Sequence, residues 1–169
     1  MMCVRVSTSG LQQTKRVLRY NIHTIKERRD IMSKVFLTRQ ATTTGGRDGK
    51  INHTLSGLEL TLSKPQEMGG QNTQGTNPEE LFSAGYSACF ASSLEFIMQK
   101  QELNYDQLAV STKTALISDG DQGFKFALEV KVTLEGVTKE QKEQLVTAAY
   151  QFCPYSKAIR DNVDVTFID

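Results

Sequence analysis

A long amphipathic helix is the feature of this sequence that most constrains its fold. The run Asn77-Pro78-Glu79-Glu80 supplies an N-cap, a proline at the first helical position and a glutamate three residues after the cap. The pattern predicts a helix that continues to about Gln101 and is mostly buried. Its apolar stripe is expected to contain Phe82, Tyr86, Cys89, Phe90, Ser93 and Ile97.

Strand patterns lie on both sides of this helix. Val35–Thr38 is apolar, and Leu58–Leu62 alternates with period two, so both are predicted strands that precede the helix. Leu108–Ser118 and Phe124–Leu134 follow it, and the turn residues between them predict an antiparallel hairpin.

A second helix and a final strand complete the pattern. The capping box Thr138–Gln141 opens the helix, Pro154 ends or kinks it, and Val163–Phe167 is a predicted strand. The order β, β, α, β, β, α, β is typical of an α+β fold. The inward-facing residues of the second helix are predicted to be Leu145, Val146, Ala149, Phe152 and Cys153.

Charge and hydropathy exclude several classes of protein. The net charge of +1 argues against a nucleic-acid-binding protein driven by bulk charge. No apolar run approaches the ~18 residues of a membrane span, and no secretory signal is recognisable. We therefore expect a cytoplasmic protein with no membrane and no nucleic acid among its partners.

The first 31 residues differ from the rest of the chain. They carry seven basic residues against two acidic ones, and Met32-Ser33-Lys34 resembles a second protein start. We therefore divide the chain into an extension, residues 1–31, and a domain, residues 32–169. Three interpretations of the extension stay open. The start codon was assigned too far upstream, the extension is a partner-binding or dimer-edge arm, or it is an organelle transit peptide.

Two cysteines, Cys89 and Cys153, are predicted on the apolar faces of the two helices. Such a pair is inert core packing, a structural disulfide or a redox pair. A thiolate in the middle of a helix needs a cation from elsewhere, and Arg47 in a glycine-rich turn is one candidate. Glu79 or Glu80 could hold that arginine in a bidentate ion pair.

A metal site is not predicted. The two histidines, His23 and His53, are 30 residues apart and have no cysteine partners at ligand spacing.

Four segments together resemble the organic hydroperoxide resistance (Ohr) proteins of the OsmC/Ohr superfamily: 43–49, 68–70, 76–90 and 153–158. The specific motifs are the long helix motif and Cys153-Pro154-Tyr155-Ser156, and the resemblance covers roughly residues 33–169. It implies an OsmC-like fold, with antiparallel sheets around two long helices, in an intertwined homodimer.

The resemblance also implies an activity, that of a thiol peroxidase for organic hydroperoxides. Cys89 would be the peroxidatic cysteine, Cys153 the resolving cysteine, and Arg47 with Glu79 the activating pair. The oxidised enzyme would be regenerated by a dithiol or a lipoylated protein, and no metal or organic cofactor is implied. Two alternatives are an OsmC-like peroxidase of broader range and a non-enzymatic dimeric module that binds small hydrophobic molecules.

A preference for organic over inorganic peroxide is expected from the apolar residues near Cys89. A site between two apolar helices favours an alkyl tail by ~0.8 kcal/mol per buried CH₂. Two interpretations of the apolar residues Phe82, Tyr86, Phe90, Ile97 and Phe152 stay open: they form the walls of such a site, or they belong to the core.

Overall fold

The computed structural model describes residues 34–53, 56–71 and 74–169 and confirms an α+β fold. The extension 1–31, with Cys3 and the boundary expected at residue 32, lies outside the described residues.

The described residues belong to two units, one that ends at Gln40 and one that spans Ala41–Asp169. Residues 34–40 have no regular secondary structure, so the predicted strand Val35–Thr38 is wrong. An apolar run this short does not specify a strand by itself, because pairing with a neighbouring strand decides its conformation.

A small antiparallel sheet opens the second unit. It consists of β1 (Ala41–Thr44), β2 (Lys50–His53) and β3 (Glu59–Thr61), in the order β1-β2-β3. β3 lies within the predicted strand Leu58–Leu62, whereas β1 and β2 carry no apolar alternation that predicts them. The glycine-rich turn between β1 and β2 is where the sequence indicates a turn.

The long helix α1 spans Pro78–Lys100 and begins as predicted, with the Asn77 side chain accepting a hydrogen bond from the Glu80 amide. It is not mostly buried, because within the described chain only one face is covered. That face includes Leu94 and Met98, which the predicted stripe left out. By length and composition α1 could cross a membrane, but the core helix of a soluble protein meets the same test.

The second sheet lies against α1. β4 (Gln107–Ser118) and β5 (Phe124–Glu135) form the predicted antiparallel hairpin, in register along their whole length. β6 (Asp164–Ile168) pairs with β5 in parallel, so this sheet combines the antiparallel β4–β5 hairpin with one parallel strand. Parallel pairing follows because two helices carry the chain back across the sheet between β5 and β6.

Those two helices are α2 (Lys139–Phe152) and α3 (Pro154–Ile159). Both hydrogen bonds of the predicted capping box at Thr138 are present, and Pro154 separates the helices by opening α3. Phe152 was predicted to face inward, but it is 43% exposed and stacks on Phe96 of α1, with ring centroids 4.9 Å apart.

The core lies between the helices and one face of the β4-β5-β6 sheet. The buried residues of α1, α2 and α3 pack on every second residue of β5, because side chains alternate between the faces of a strand. This core consists of Tyr86, Phe90, Leu94, Met98, Leu128, Val130, Val132, Leu134, Leu145, Ala149, Cys153 and Ile159.

Candidate active site

The turn between β1 and β2 presents Arg47. Gly45 adopts a left-handed conformation with φ of 77°, and a Cβ on Gly49 would overlap the Thr44 carbonyl oxygen. The two glycines therefore allow a tight turn that a side chain at position 49 would open.

Arg47 and Glu79 form a bidentate ion pair, one of the two pairings that the sequence allowed. Arg47 Nη1 donates to Glu79 Oε2 at 2.8 Å and Nη2 donates to Oε1 at 2.7 Å. The Glu79 side chain is only 16% exposed. Its hydrogen bonds with Arg47 lower the pKa of the Glu79 carboxyl, and the same bonds raise the pKa of Arg47. The pair therefore holds a guanidinium in a fixed orientation at the start of α1.

Glu80, the alternative partner, is used elsewhere. Its carboxylate accepts a hydrogen bond from the Thr76 hydroxyl at 2.8 Å, and its amide is capped by Asn77. The two adjacent glutamates in the first turn of α1 therefore have different roles. Glu79 binds Arg47, and Glu80 belongs to the helix cap.

The structure brings Cys89 of α1 and Cys153 together, although 64 residues separate them in the chain. Their Sγ atoms are 3.5 Å apart, within the range of a sulfur hydrogen bond, and both cysteines are free thiols. Cys89 is partly exposed, whereas Cys153 is 0% exposed. Only a small approach separates these sulfur atoms from a disulfide bond.

The surroundings of the two thiols differ. Burial raises the pKa of the Cys89 thiol, and the raising effects of burial and of Cys153 outweigh the lowering effect of the Tyr155 backbone N–H. Burial also raises the pKa of the Cys153 thiol, but hydrogen bonds with the amide and hydroxyl of Ser156, with Cys89 and with Ser93 together more than offset it, so that this pKa is lowered. Within the described chain, Cys153 therefore loses its proton more readily than Cys89.

Sequence reasoning gave no role to the hydroxyl groups around Cys153. The fully buried Ser156 and Tyr86 hydroxyls are 2.9 Å apart, and the Ser93 hydroxyl donates to the Cys89 carbonyl oxygen at 2.8 Å. The Ser156 amide and the hydroxyls of Ser156 and Ser93 are the polar groups that lower the pKa of the Cys153 thiol. One of these hydroxyls could have been found from the sequence, because Ser93 is a polar residue within the apolar stripe of α1.

The ion pair and the cysteine pair are separate within one chain. Glu79 and Cys89 are ten residues apart on the continuous helix α1, which corresponds to ~15 Å of rise. An Arg47 that is held by Glu79 therefore does not reach the Cys89 sulfur of its own chain.

An open cavity of about 1070 Å³ lies beside Arg47 and Glu79. The Thr112 hydroxyl, on its wall, is buried and has no hydrogen-bond partner among the described residues. The apolar part of the lining consists of Pro65, Met68, Leu116 and Phe124.

These lining residues are not the ones expected to surround an alkyl tail. Tyr86 and Phe90 are 0% exposed and belong to the core, so the expectation that they form pocket walls is wrong. Helical periodicity identifies an apolar face but does not tell core packing from a ligand pocket.

Among residues 34–53, 56–71 and 74–169, no three His, Cys, Asp or Glu side chains are grouped so that they could hold a metal ion.

Comparisons with known proteins agree with this fold. Residues 69–168 match the family described as OsmC-like protein. An organic hydroperoxide resistance protein-like 2 from Staphylococcus epidermidis is 45% identical over 122 residues, which cover 72% of this chain and 86% of that protein. An organic hydroperoxide resistance protein from Xanthomonas axonopodis pv. citri is 38% identical over 133 residues, 79% of this chain and 94% of that one.

A solved structure is similar over a comparable length. The crystal structure of an organic hydroperoxide resistance protein from Legionella pneumophila superposes with a TM-score of 0.76 at 36% identity, covering 79% of this chain and 97% of that chain.

Proposed function

Because this chain belongs to the OsmC/Ohr family, we propose that it is a cysteine-based peroxidase that reduces organic hydroperoxides to alcohols. The observation that carries the proposal is the 3.5 Å separation of the Cys89 and Cys153 sulfur atoms, one partly exposed and one buried. Two thiols in this arrangement can pass through a sulfenic acid and a disulfide without a large movement of the chain.

The oxidative half of the reaction uses both sulfurs. The Cys89 thiolate attacks the terminal peroxide oxygen, the O–O bond breaks, and the alkoxide leaves and takes up a proton as the alcohol. Cys89 becomes a sulfenic acid. The Cys153 sulfur then attacks the Cys89 sulfur, water leaves, and a Cys89–Cys153 disulfide forms.

Cys89 needs a positive charge that its own chain does not bring to it. Burial and Cys153 raise the pKa of this thiol, while Arg47 is held by Glu79 about 15 Å of helical rise away. We therefore propose a homodimer in which Arg47 and Glu79 of a second copy face Cys89. In that position Arg47 favours the thiolate and polarises the breaking O–O bond, while Glu79 orients the guanidinium.

The cavity beside Arg47 suits the organic part of the substrate. Its apolar residues Met68, Leu116 and Phe124 lie next to the guanidinium that would face the peroxide group. The unpartnered Thr112 hydroxyl on its wall is explained if a second copy or the substrate completes this surface.

A dithiol, free or carried on a lipoylated protein, closes the cycle by reducing the disulfide. No step of this cycle requires a metal or an organic cofactor. We place the reaction in the cytoplasm, where cysteines remain reduced, and assign it to residues 32–169.

Peroxide consumption tests the proposal directly. The full chain is incubated with an alkyl hydroperoxide and dihydrolipoamide, and loss of peroxide is followed for the natural protein and three single variants. Cys89→Ser and Cys153→Ser should lose turnover, whereas Cys3→Ser, the matched control, should retain it. A natural protein that consumes no alkyl hydroperoxide would leave the hydrophobic-ligand binding module as the better hypothesis.

A further inference from the structure

Within the described chain, the two cysteines of the pair differ in their exposure to solvent. Cys89 is partly exposed on α1, whereas Cys153 is 0% exposed and belongs to the core cluster between the helices and the sheet. With the sulfurs already 3.5 Å apart, a disulfide between them would present one sulfur to solvent and keep the other buried.

Thiol–disulfide exchange is directional. The incoming thiolate attacks one sulfur, and the other sulfur departs as a thiolate along the line of attack. A reductant from solvent can approach Cys89 on the side away from Cys153, while an approach to Cys153 would require the core to open. The exposure of the two sulfurs therefore selects the attacked atom.

Polar groups surround the buried cysteine, Cys153, where a departing thiolate needs hydrogen-bond donors. Ser156 and Tyr86 are fully buried, and their hydroxyls are 2.9 Å apart, so Tyr86 can donate to Ser156 and leave the Ser156 hydroxyl hydrogen available to a Cys153 thiolate three residues earlier in the chain. Burial raises the pKa of the Tyr86 phenol, which keeps it protonated as a donor. The lowered pKa of Cys153 agrees with this arrangement.

We infer that the reductant attacks Cys89 Sγ and that Cys153 leaves as a thiolate stabilised by the buried Tyr86–Ser156 hydroxyl pair. This inference rests on the proposed peroxidase cycle, of which it describes the reductive half. A bond forms between the reductant sulfur and Cys89, the Cys89–Cys153 bond breaks, and its electron pair goes to Cys153. The second thiol of the dithiol then attacks the reductant sulfur and releases Cys89 while the reductant becomes a cyclic disulfide.

The site of attack can be located in the natural protein. The disulfide is formed with diamide, glutathione is added as a monothiol probe, and the mixture is quenched with acid and N-ethylmaleimide before peptide mapping by mass spectrometry. We expect glutathione on Cys89 and N-ethylmaleimide on Cys153. Glutathione on Cys153 would overturn the inference.

Diamide separates this test from the proposed function. If diamide forms the disulfide and glutathione is found on Cys89, but alkyl hydroperoxide does not form the disulfide, then the peroxidase proposal fails and the direction of reduction stands.

The role of Ser156 is tested by comparing Tyr86→Phe/Ser156→Ala with Tyr86→Phe, because the double variant leaves no buried phenol without a partner. Reduction of the preformed disulfide by dihydrolipoamide should be about three- to tenfold slower in the double variant, since a thiol of higher pKa leaves more slowly. Ser87→Ala is the matched control, because among the described residues the Ser87 hydroxyl donates to the Ala84 carbonyl of its own helix and to no other group.

A second readout does not depend on exchange rates. In Cys3→Ser/Cys89→Ser, where Cys153 is the one remaining thiol, thiolate absorbance titrates Cys153, and adding Ser156→Ala should move that titration to higher pH. An unchanged titration together with an unchanged reduction rate would remove Ser156 from the mechanism.

Discussion

The ring of Tyr155 packs directly against the backbone of Gly85, where a Cβ atom would lie 2.8 Å from the Tyr155 hydroxyl oxygen and 3.3 Å from the ring. Gly85 is one helical turn before Cys89 on α1, and Tyr155 follows Cys153 by two residues. The two cysteine-bearing segments are therefore in contact at Gly85 and Tyr155 as well as at the cysteines.

Gly85→Ala is predicted to slow disulfide formation without a large loss of stability. Alanine favours the helix by ~1 kcal/mol over glycine, which offsets part of the cost of displacing the Tyr155 ring. Displacement moves the start of α3, and with it Cys153, away from Cys89. Quenched-flow alkylation of the free thiols after peroxide addition measures the rate; Ala84→Gly, at an exposed neighbour, is the control.

The two cysteines are predicted to give different products with one equivalent of peroxide. Natural protein should lose the mass of two hydrogens as the disulfide forms, and Cys153→Ser should stop at a sulfenic acid and then over-oxidise. Cys89→Ser should remain unmodified at Cys153, because the buried sulfur is not accessible to peroxide. Intact-mass spectrometry distinguishes these products, and an unchanged mass in the natural protein would refute the disulfide step.

Mixing two inactive variants tests whether Arg47 acts across a dimer. Arg47→Ala and Cys89→Ser are each expected to be inactive, but a hybrid dimer of the two has one complete site if the arginine comes from the partner subunit. Activity should therefore reappear after the variants are unfolded and refolded together. If the mixture stays inactive while mass spectrometry shows hybrid dimers, the arginine acts within its own chain.

The ion pair predicts a pH dependence of stability that Glu79→Gln should remove. Because Arg47 lowers the pKa of Glu79 in the folded protein, the unfolded chain binds the proton more readily. The stabilisation is complete above the ordinary glutamate pKa of ~4.3 and is lost as the pH falls through the lower folded value. Urea unfolding of both proteins between neutral and acidic pH measures this, and a difference that does not shrink toward acid contradicts it.

The cavity predicts that kcat/KM rises with the alkyl chain length of the hydroperoxide. Four buried carbons at ~0.8 kcal/mol each give about 3 kcal/mol, or roughly a hundredfold if the whole gain is realised in the transition state. Leu116→Ala should flatten this slope, whereas the exposed Leu58→Ala should not. A slope that is flat in the natural protein and equal to the value for hydrogen peroxide would refute the substrate assignment.

Local signals predicted the parts of the fold that local interactions decide. The caps at Asn77 and Thr138, the break at Pro154 and the β4–β5 hairpin depend on residues close together in sequence, and the structure has all of them. The pairing of β6 with β5 and the stacking of Phe152 on Phe96 depend on segments that are distant in sequence. The periodicity of apolar residues within one segment does not predict such contacts.

The candidate site divides in the same way. Charge complementarity left Glu79 and Glu80 both open as partners of Arg47, and the resemblance to the Ohr proteins selected Glu79. The structure pairs Arg47 with Glu79 and places Glu80 at the helix cap. The separation of this pair from Cys89 follows from helical rise and could have been found by counting residues along α1. The hydroxyls of Tyr86 and Ser156, 70 residues apart, had no sequence signal that related them.

The parallel pairing of β5 and β6 has a consequence for the biogenesis of the protein. Cys153 lies inside the crossover that these strands close, and the ribosome makes β6 after it has made both cysteines. A parallel strand has to wait for its connecting helices before its hydrogen bonds form. β6 can therefore dock only after the segment that carries Cys153 has folded back across the sheet, so the last strand of the chain closes over a crossover that already contains this cysteine.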